Sequence, residues 1–254
     1  MSKARADHSP VIAIVQARMG STRLPGKVLA HLAGRPMLER VVERARRAST
    51  LDEVVVATTV LAEDEPIAVF CAEQGYPCFR GHPSDVLDRY AQAAQARRGR
   101  TIVRLTADCP FIDPQVMDRT VTAYLQADPP VDYASNRLTR TFPIGLDVEV
   151  MSIGALTRAW KEADQPYQRE HVTPYFYEVP DRFGIASVES GGDFGSYRWT
   201  VDTAEDLEFA RQIYSRFGGR DDFGWREVLA VLQAEPQLLT LNAHVRQKDF
   251  REVG

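Results

Sequence analysis

Four times in the first 130 residues an apolar run gives way to a segment patterned as a helix, with short connections between them. That alternation restricts the chain to a mostly parallel sheet with helices packed on its faces. Val11-Ile12-Ala13-Ile14-Val15 is apolar without interruption, as a strand buried on both faces must be. Met37, Leu38, Val41, Val42 and Ala45 then recur at helical spacing within Pro36–Arg47. A second strand is expected at Val54–Ala57 and a second helix at Glu63–Glu73, where Pro66 is tolerated in the first turn. Cys78-Phe79 forms a short third strand, and Ser84 is expected to cap a helix carrying Val86, Leu87, Tyr90, Ala93 and Ala94. Thr101–Leu105 is the fourth strand, and Asp113-Pro114 opens the next helix as N-cap and first residue.

Beyond residue 130 the alternation breaks. Tyr133–Arg140 and Asp147–Met151 read as edge or hairpin strands, Ser152–Ala163 as a helix, and Arg169–Tyr177 as a helix interrupted at Pro174. Gly184–Glu189 and Tyr197–Val201 alternate as strands, and Thr203 with Asp206 forms a capping box ahead of a helix reaching Phe217. The expected organisation is an α/β, doubly wound, Rossmann-like domain over residues 10–240, with 133–195 as a small inserted arm. Residues 1–9 are a flexible tail and 241–254 a polar one. In such sheets ligands sit beyond the carboxyl ends of the strands. Four loops share that rim: Gln16–Lys27, Thr58–Asp64, Arg80–Asp85 and Thr106–Asp113.

Composition removes several classes. Among 254 residues, Lys and Arg total 31 and Asp and Glu 35, a net charge of −4, which gives no electrostatic footprint for a nucleic-acid binder. No apolar run is long enough for a membrane span. Cys71, Cys78 and Cys109 are odd in number and lack metal-ligand spacing, so free thiols and a cytoplasmic setting are expected.

The densest chemical signal is Ala17-Arg18-Met19-Gly20-Ser21-Thr22-Arg23-Leu24-Pro25-Gly26-Lys27. Glycines let backbone N–H groups approach an anion, and Arg18, Arg23 and Lys27 would neutralise phosphate charge. The segment is not a Walker A loop, because five residues separate Gly20 from Gly26 and Val28 follows Lys27; nor is it the dinucleotide fingerprint. Read by itself it is an anion-gripping loop or a basic surface loop with a Pro-Gly turn. Asp108 ends a central strand, where a cation on a phosphate would lie or where a turn residue precedes Pro110; Asp202 stands just before a helix, as a ligand or as a neighbour of its cap.

Ala17–Lys27 resembles the A-R-x-G-S-x-R-L-P-G-K signature of the CMP-sugar-acid synthetases, the cytidylyltransferase family that includes the 3-deoxy-manno-octulosonate and acylneuraminate enzymes. Leu32-x-Gly34-x-Pro36-Met37-Leu38, Asp108-Cys109-Pro110 and Val201–Leu207 follow in the same order. Asp132–Asn136, Pro143–Glu149 and Glu170–Pro174 look most like the spore-coat polysaccharide F-type branch. The resemblance implies a nucleotidyltransferase of GT-A type that moves CMP from CTP to a sugar acid or related acceptor and releases pyrophosphate, with Mg2+ as cofactor, in surface-polysaccharide or glycoconjugate synthesis. It implies Arg18, Lys27, Asp108 and Asp202 as the catalytic set, with Asp108 and Asp202 on the metal. Ala17, Gly20, Ser21 and Arg23 join the nucleotide site, together with Ala57, Thr58 and Arg80 on the next rim loops. Thr200 stands where some relatives carry a second aspartate, so at least one cation is implied. His82-Pro83-Ser84-Asp85 departs from the octulosonate enzymes' segment and argues against that sugar. A homodimer through 133–195 is also implied.

Acceptor candidates fall in the arm: Asn136, Arg137, Arg140, Asp147, Glu149, Glu170 and His171. A guanidinium pairs two-pronged with a carboxylate or phosphate. Asp147 and Glu149, two apart, would share one strand face, either binding the acceptor or facing solvent. His171 is a general base or a hydrogen-bonded packing residue. Two rival functions remain: a nucleotide-sugar glycosyltransferase, which would want Asp-x-Asp where this chain has Asp108-Cys109-Pro110, and an idle nucleotide-binding homologue.

Overall fold

The structure is a computed structural model and describes residues 9–247; the segments 1–8 and 248–254 of the expected tails lie outside the described residues. The chain runs through β1 (Val11–Gln16), β2 (His31–Leu32), β3 (Arg35–Pro36), α1 (Met37–Ala45), β4 (Glu53–Thr59), α2 (Glu65–Gln74), β5 (Cys78–Gly81), α3 (Val86–Ala96), β6 (Thr101–Thr106) and α4 (Pro114–Leu125). The second half supplies β7 (Tyr133–Ser135), β8 (Glu149–Ser152), α5 (Ile153–Glu162), α6 (Pro166–His171), α7 (Pro174–Tyr177), β9 (Ile185–Ser187), α8 (Ala204–Arg216) and α9 (Trp225–Ala234). Seven strands among the described residues form one sheet in the order β5-β4-β1-β6-β8-β7-β9. β5, β4, β1 and β6 are mutually parallel, and β8 runs against both β6 and β7. The doubly wound α/β sheet expected from the alternation is therefore present, and residues 133–195 extend that same sheet.

β1 shows why the apolar run reads as it does. Val11, Ala13 and Val15 face one core with α1, while Ile12 and Ile14 face the other with α3 and α5. Each buried aliphatic side chain contributes about 1.5–3 kcal/mol, so both faces hold the strand in the middle. Asp113 caps α4 by accepting from the Gln115 and Val116 amides and also takes the Trp225 amide, tying in α9. The Thr203–Asp206 capping box opens α8.

Three local expectations need correction. Asp85, not Ser84, caps α3, accepting from the Asp88 amide, because its carboxylate also reaches Arg169. Tyr133–Arg140 pairs only as far as Ser135. Tyr197–Val201 is no strand of the sheet; it meets the fold through the bridge between Ile144 and Arg198 and through the Val201 amide, which donates to the Asp108 carbonyl. The turn it crosses needs Gly145 at φ 103°, where a Cβ would lie 2.7 Å from the Thr200 amide.

Candidate active site

β4 and β5 lie on one side of β1 and β6 on the other, so the chain changes direction between β1 and β6. The loops leaving Gln16 and Thr106, which pair across those strands, diverge and leave a crevice. A cavity of about 790 Å³ opens there. Seven cationic side chains line it, Arg18, Arg23, Lys27, Arg89, Arg104, Arg137 and Arg140, against the carboxylates Asp108, Asp147, Glu170 and Asp202. A chain that is acidic overall thus carries a surplus of positive charge at one site, which suits a polyanion.

The Ala17–Lys27 loop is held from below. The Ala17 amide donates to the Ala57 carbonyl at 3.0 Å, and the Ser21 and Gly26 amides both donate to the Met19 carbonyl at 2.9 Å. The Met19 amide donates to Asp64 Oδ1 at 2.6 Å, while the Thr59 hydroxyl donates to the other oxygen of that buried carboxylate. Gly26 is left-handed at φ 71°, and the next residue, Lys27, starts a short 3-10 turn that aims its side chain inward.

Lys27 Nζ donates to Asp108 Oδ2 at 3.0 Å, to Asp202 Oδ1 at 2.8 Å and to the Val201 carbonyl at 2.8 Å. One ammonium therefore joins two carboxylates that are 94 residues apart in sequence. Burial alone would lower the Lys27 pKa, but the two carboxylates raise it, so the group stays charged. Burial likewise opposes ionisation of Asp108, and the Lys27 charge with donors from Thr106 and Cys109 brings its carboxyl down to about 2. Asp202 Oδ2 accepts from Arg198 Nη2 at 2.8 Å and forms an ion pair with Arg23 Nη2 at 2.9 Å. Thr200 turns to the Asp108 carbonyl. Burial pushes the Cys109 thiol up, so it is no nucleophile.

The far end of the cavity is built by strand register. Arg104 on β6 lies directly opposite Glu149 on β8. Arg104 donates to Glu149, Tyr133 donates to it at 2.6 Å, and Arg137 stands 3.6 Å away. Burial would raise the Glu149 pKa, but Arg104 and Arg137 hold it at about 2. Two guanidiniums thus share one buried carboxylate. His171 is withdrawn from solvent and faces Arg104, Arg137 and Arg18, which lowers its pKa to about 4 and keeps the imidazole neutral.

Of the side chains expected at the nucleotide, the cavity gathers Ala17, Arg18, Gly20, Ser21, Arg23, Lys27, Asp108 and Asp202. Ala57 and Thr58 are fully buried in β4, and Arg80 is turned to Glu65 and to the Thr59 and Leu61 carbonyls; none of the three lines the cavity. Arg140, Asp147, Glu170, His171 and Arg137 do line it. Asn136 does not: its side chain clamps the Leu146 carbonyl and the Val148 amide. The expected Asp147–Glu149 strand face is not formed, because β8 begins at Glu149; Asp147 pairs with Arg140, and Glu149 is 1% exposed behind the lining. Four contributors were not anticipated. Arg104, a charge inside the apolar run Thr101–Leu105, was visible as an anomaly. Arg198 and Arg89 lie outside any motif although their partners are near, Asp202 and Asp206 for Arg198 and the His82 and Pro83 carbonyls for Arg89, while Asp64 reaches the Met19 amide 45 residues away.

Among the described residues no helix is long and apolar enough to cross a membrane. Residues 12–217 match the family model described as Cytidylyltransferase. The chain is 33% identical over 237 residues to the spore coat polysaccharide biosynthesis protein SpsF of Bacillus subtilis, covering 91% of this chain and 97% of that one. It is 30% identical over 237 residues to a 3-deoxy-manno-octulosonate cytidylyltransferase of Anaeromyxobacter dehalogenans, covering 80% and 97%. A solved cytidylyltransferase from Leptospira borgpetersenii superposes with a TM-score of 0.88 at 31% identity, covering 95% of this chain and all 100% of that one.

Proposed function

The chain belongs to the cytidylyltransferase family, and from that premise we propose that it transfers CMP from CTP to a hydroxyl of a sugar acid or related acceptor, releasing pyrophosphate. The observation that carries this reading is the Lys27 ammonium reaching both Asp108 and Asp202 at the rim of a cation-lined cavity.

The acceptor hydroxyl oxygen bonds to the α-phosphorus in line as the bond to the bridging α–β oxygen breaks; pyrophosphate leaves on the opposite side and the hydroxyl proton passes to solvent. Positioning and charge neutralisation dominate such transfers. Arg18, Arg23 and Lys27 hold the triphosphate, with Gly20 and Ser21 as donors from the loop. Asp108 and Asp202 fit a hard divalent cation: the donors are all oxygen, and a single positive group already spans both. Bound there, Mg2+ supplies charge neutralisation on the phosphoryl oxygens. At the other end Arg137 and Arg140 receive the acceptor's acid group, Asp147 and Glu170 its hydroxyls, and neutral His171 accepts a hydrogen bond from the attacking one. Glu149 and Asn136 hold that end in shape. Ala57, Thr58 and Arg80 support the nucleotide side from behind the lining.

A homodimer through 133–195 would cover the exposed Val179 and Ile185; light scattering on the purified protein tests it. The function is tested by pyrophosphate release from the four nucleoside triphosphates against a panel of sugar acids. CTP-dependent release with one acid is the expected result. Hydrolysis of a nucleotide sugar, or no triphosphate turnover with any acid, would overturn the reading.

A further inference from the structure

The match to the family model stops at residue 217, yet the chain returns to the site after that point. We infer that residues 242–247 are a positioning strap for Asp202, with Asn242 holding Asp206 and the Arg198 carbonyl and Gln247 holding the Arg198 guanidinium; this rests on the function proposed above.

The chain of contacts is continuous. Asp206 is fully buried and accepts from the Asp202 amide at 3.0 Å and the Thr203 amide at 3.2 Å, which fixes the backbone of Asp202. Arg198 donates from Nε and Nη2 to Asp206 at 3.1 and 2.9 Å, and from the same Nη2 to Asp202 Oδ2 at 2.8 Å. Asn242 is buried, and its Nδ2 has two hydrogens to give. It spends them on Asp206 Oδ1 at 2.9 Å and the Arg198 carbonyl at 3.1 Å. The remaining guanidinium nitrogen, Arg198 Nη1, donates to Gln247 Oε1. Gln247 also lines the cavity, on the same wall as Asp202. Every nitrogen of Arg198 is therefore engaged, two by carboxylates and one by this strap. Without Gln247 the guanidinium loses its hold at Nη1, and its grip on Asp202 Oδ2 rests on the Nε and Nη2 contacts alone. Groups that orient a metal-binding carboxylate tune its affinity for the metal.

The test is Gln247→Ala in the full chain, an exposed substitution, compared with Gln247→Glu, which keeps an oxygen acceptor for Nη1. Mn2+ binding in the presence of CTP is followed by electron paramagnetic resonance, and the metal dependence of turnover is measured beside it. Gln247→Ala is expected to weaken Mn2+ binding by about 3- to 10-fold, below the range for direct partners of metal ligands. The metal concentration for half-maximal turnover rises equally, kcat at saturating metal falls by less, and Tm stays that of the parent. Gln247→Glu restores the metal affinity. Unchanged Mn2+ affinity in Gln247→Ala, or a loss that Gln247→Glu does not restore, overturns the inference. A parent protein that binds Mn2+ with CTP but releases no pyrophosphate with any acceptor would instead count against the proposed reaction and leave the strap's effect on binding readable.

Discussion

The charge clusters at the two ends of the cavity use the same kinds of side chain in different proportions. At the Lys27 end, Asp108, Asp202 and buried Asp206 meet Lys27, Arg23 and Arg198, so the charges balance among themselves. Around Glu149 at the far end, Arg104 and Arg137 share one carboxylate, so that cluster has a guanidinium in excess, while Arg140 beside it is matched by Asp147. A balanced cluster can admit a cation and a polyphosphate together, because each displaces a like partner. An unbalanced one favours a single anionic group. The difference suggests one end for a metal-bound triphosphate and the other for an acid, and it can be attacked from either side.

Glu149→Gln gives the largest expected effect. It leaves buried Arg104 and half-buried Arg137 without their carboxylate, a loss of about 3–5 kcal/mol, read from the urea midpoint. Parent-like stability would mean that the far end carries no surplus worth the name. Lys27→Ala strikes the balanced end. Losing a preorganised charged donor costs on the order of 10²–10³ in rate, measured as CTP-dependent pyrophosphate release with far-ultraviolet circular dichroism unchanged. Turnover like the parent's would detach the two carboxylates from the chemistry. Asp64→Ala removes the buried acceptor for the Met19 amide and the Thr59 hydroxyl, a cost of about 1–3 kcal/mol. The KM for CTP should rise with it while the acceptor's KM holds; an equal rise in both would show that the loop serves the two ends alike.

The smallest effect at neutral pH belongs to His171. Its pKa is lowered from 6.5 to about 4, so below pH 6.5 the unfolded chain takes up a proton that the folded protein refuses. Stability therefore falls as pH drops from 6.5 to about 4, and His171→Gln should flatten that part of a Tm–pH curve. Asp108 and Glu149 are shifted the same way for the opposite reason of charge: their contributions are present above the ordinary carboxylate range and are lost only as pH falls toward about 2. A slope between pH 6.5 and 4 that persists in His171→Gln would place its origin elsewhere.

How much could be read in advance follows the same division. β1, β4 and β6 were legible because a strand buried on both faces must be apolar throughout. The α4 and α8 starts were legible because a cap satisfies amides two or three residues away. The second half was harder. Its strands are three or four residues long, and whether Asp147 joins β8 depends on pairing with β6, which no local rule fixes. Asn136 read as an acceptor ligand because it is a polar residue of the arm; its partners, the Leu146 carbonyl and the Val148 amide, lie ten and twelve residues on.

The order of residues alone determined the doubly wound sheet, the rim on which a ligand would sit, and the cationic loop with its two candidate aspartates. Periodicity, capping and turn chemistry act over a few residues and are written locally. Only the folded chain decided that Lys27 would hold Asp108 and Asp202 together, that Arg104 would face Glu149, and that Gln247 would come back to Arg198. Those pairings join residues 45 to 175 positions apart. A charge taken from water must find a partner wherever the packing of apolar faces happens to bring one, and that is settled by the whole fold at once.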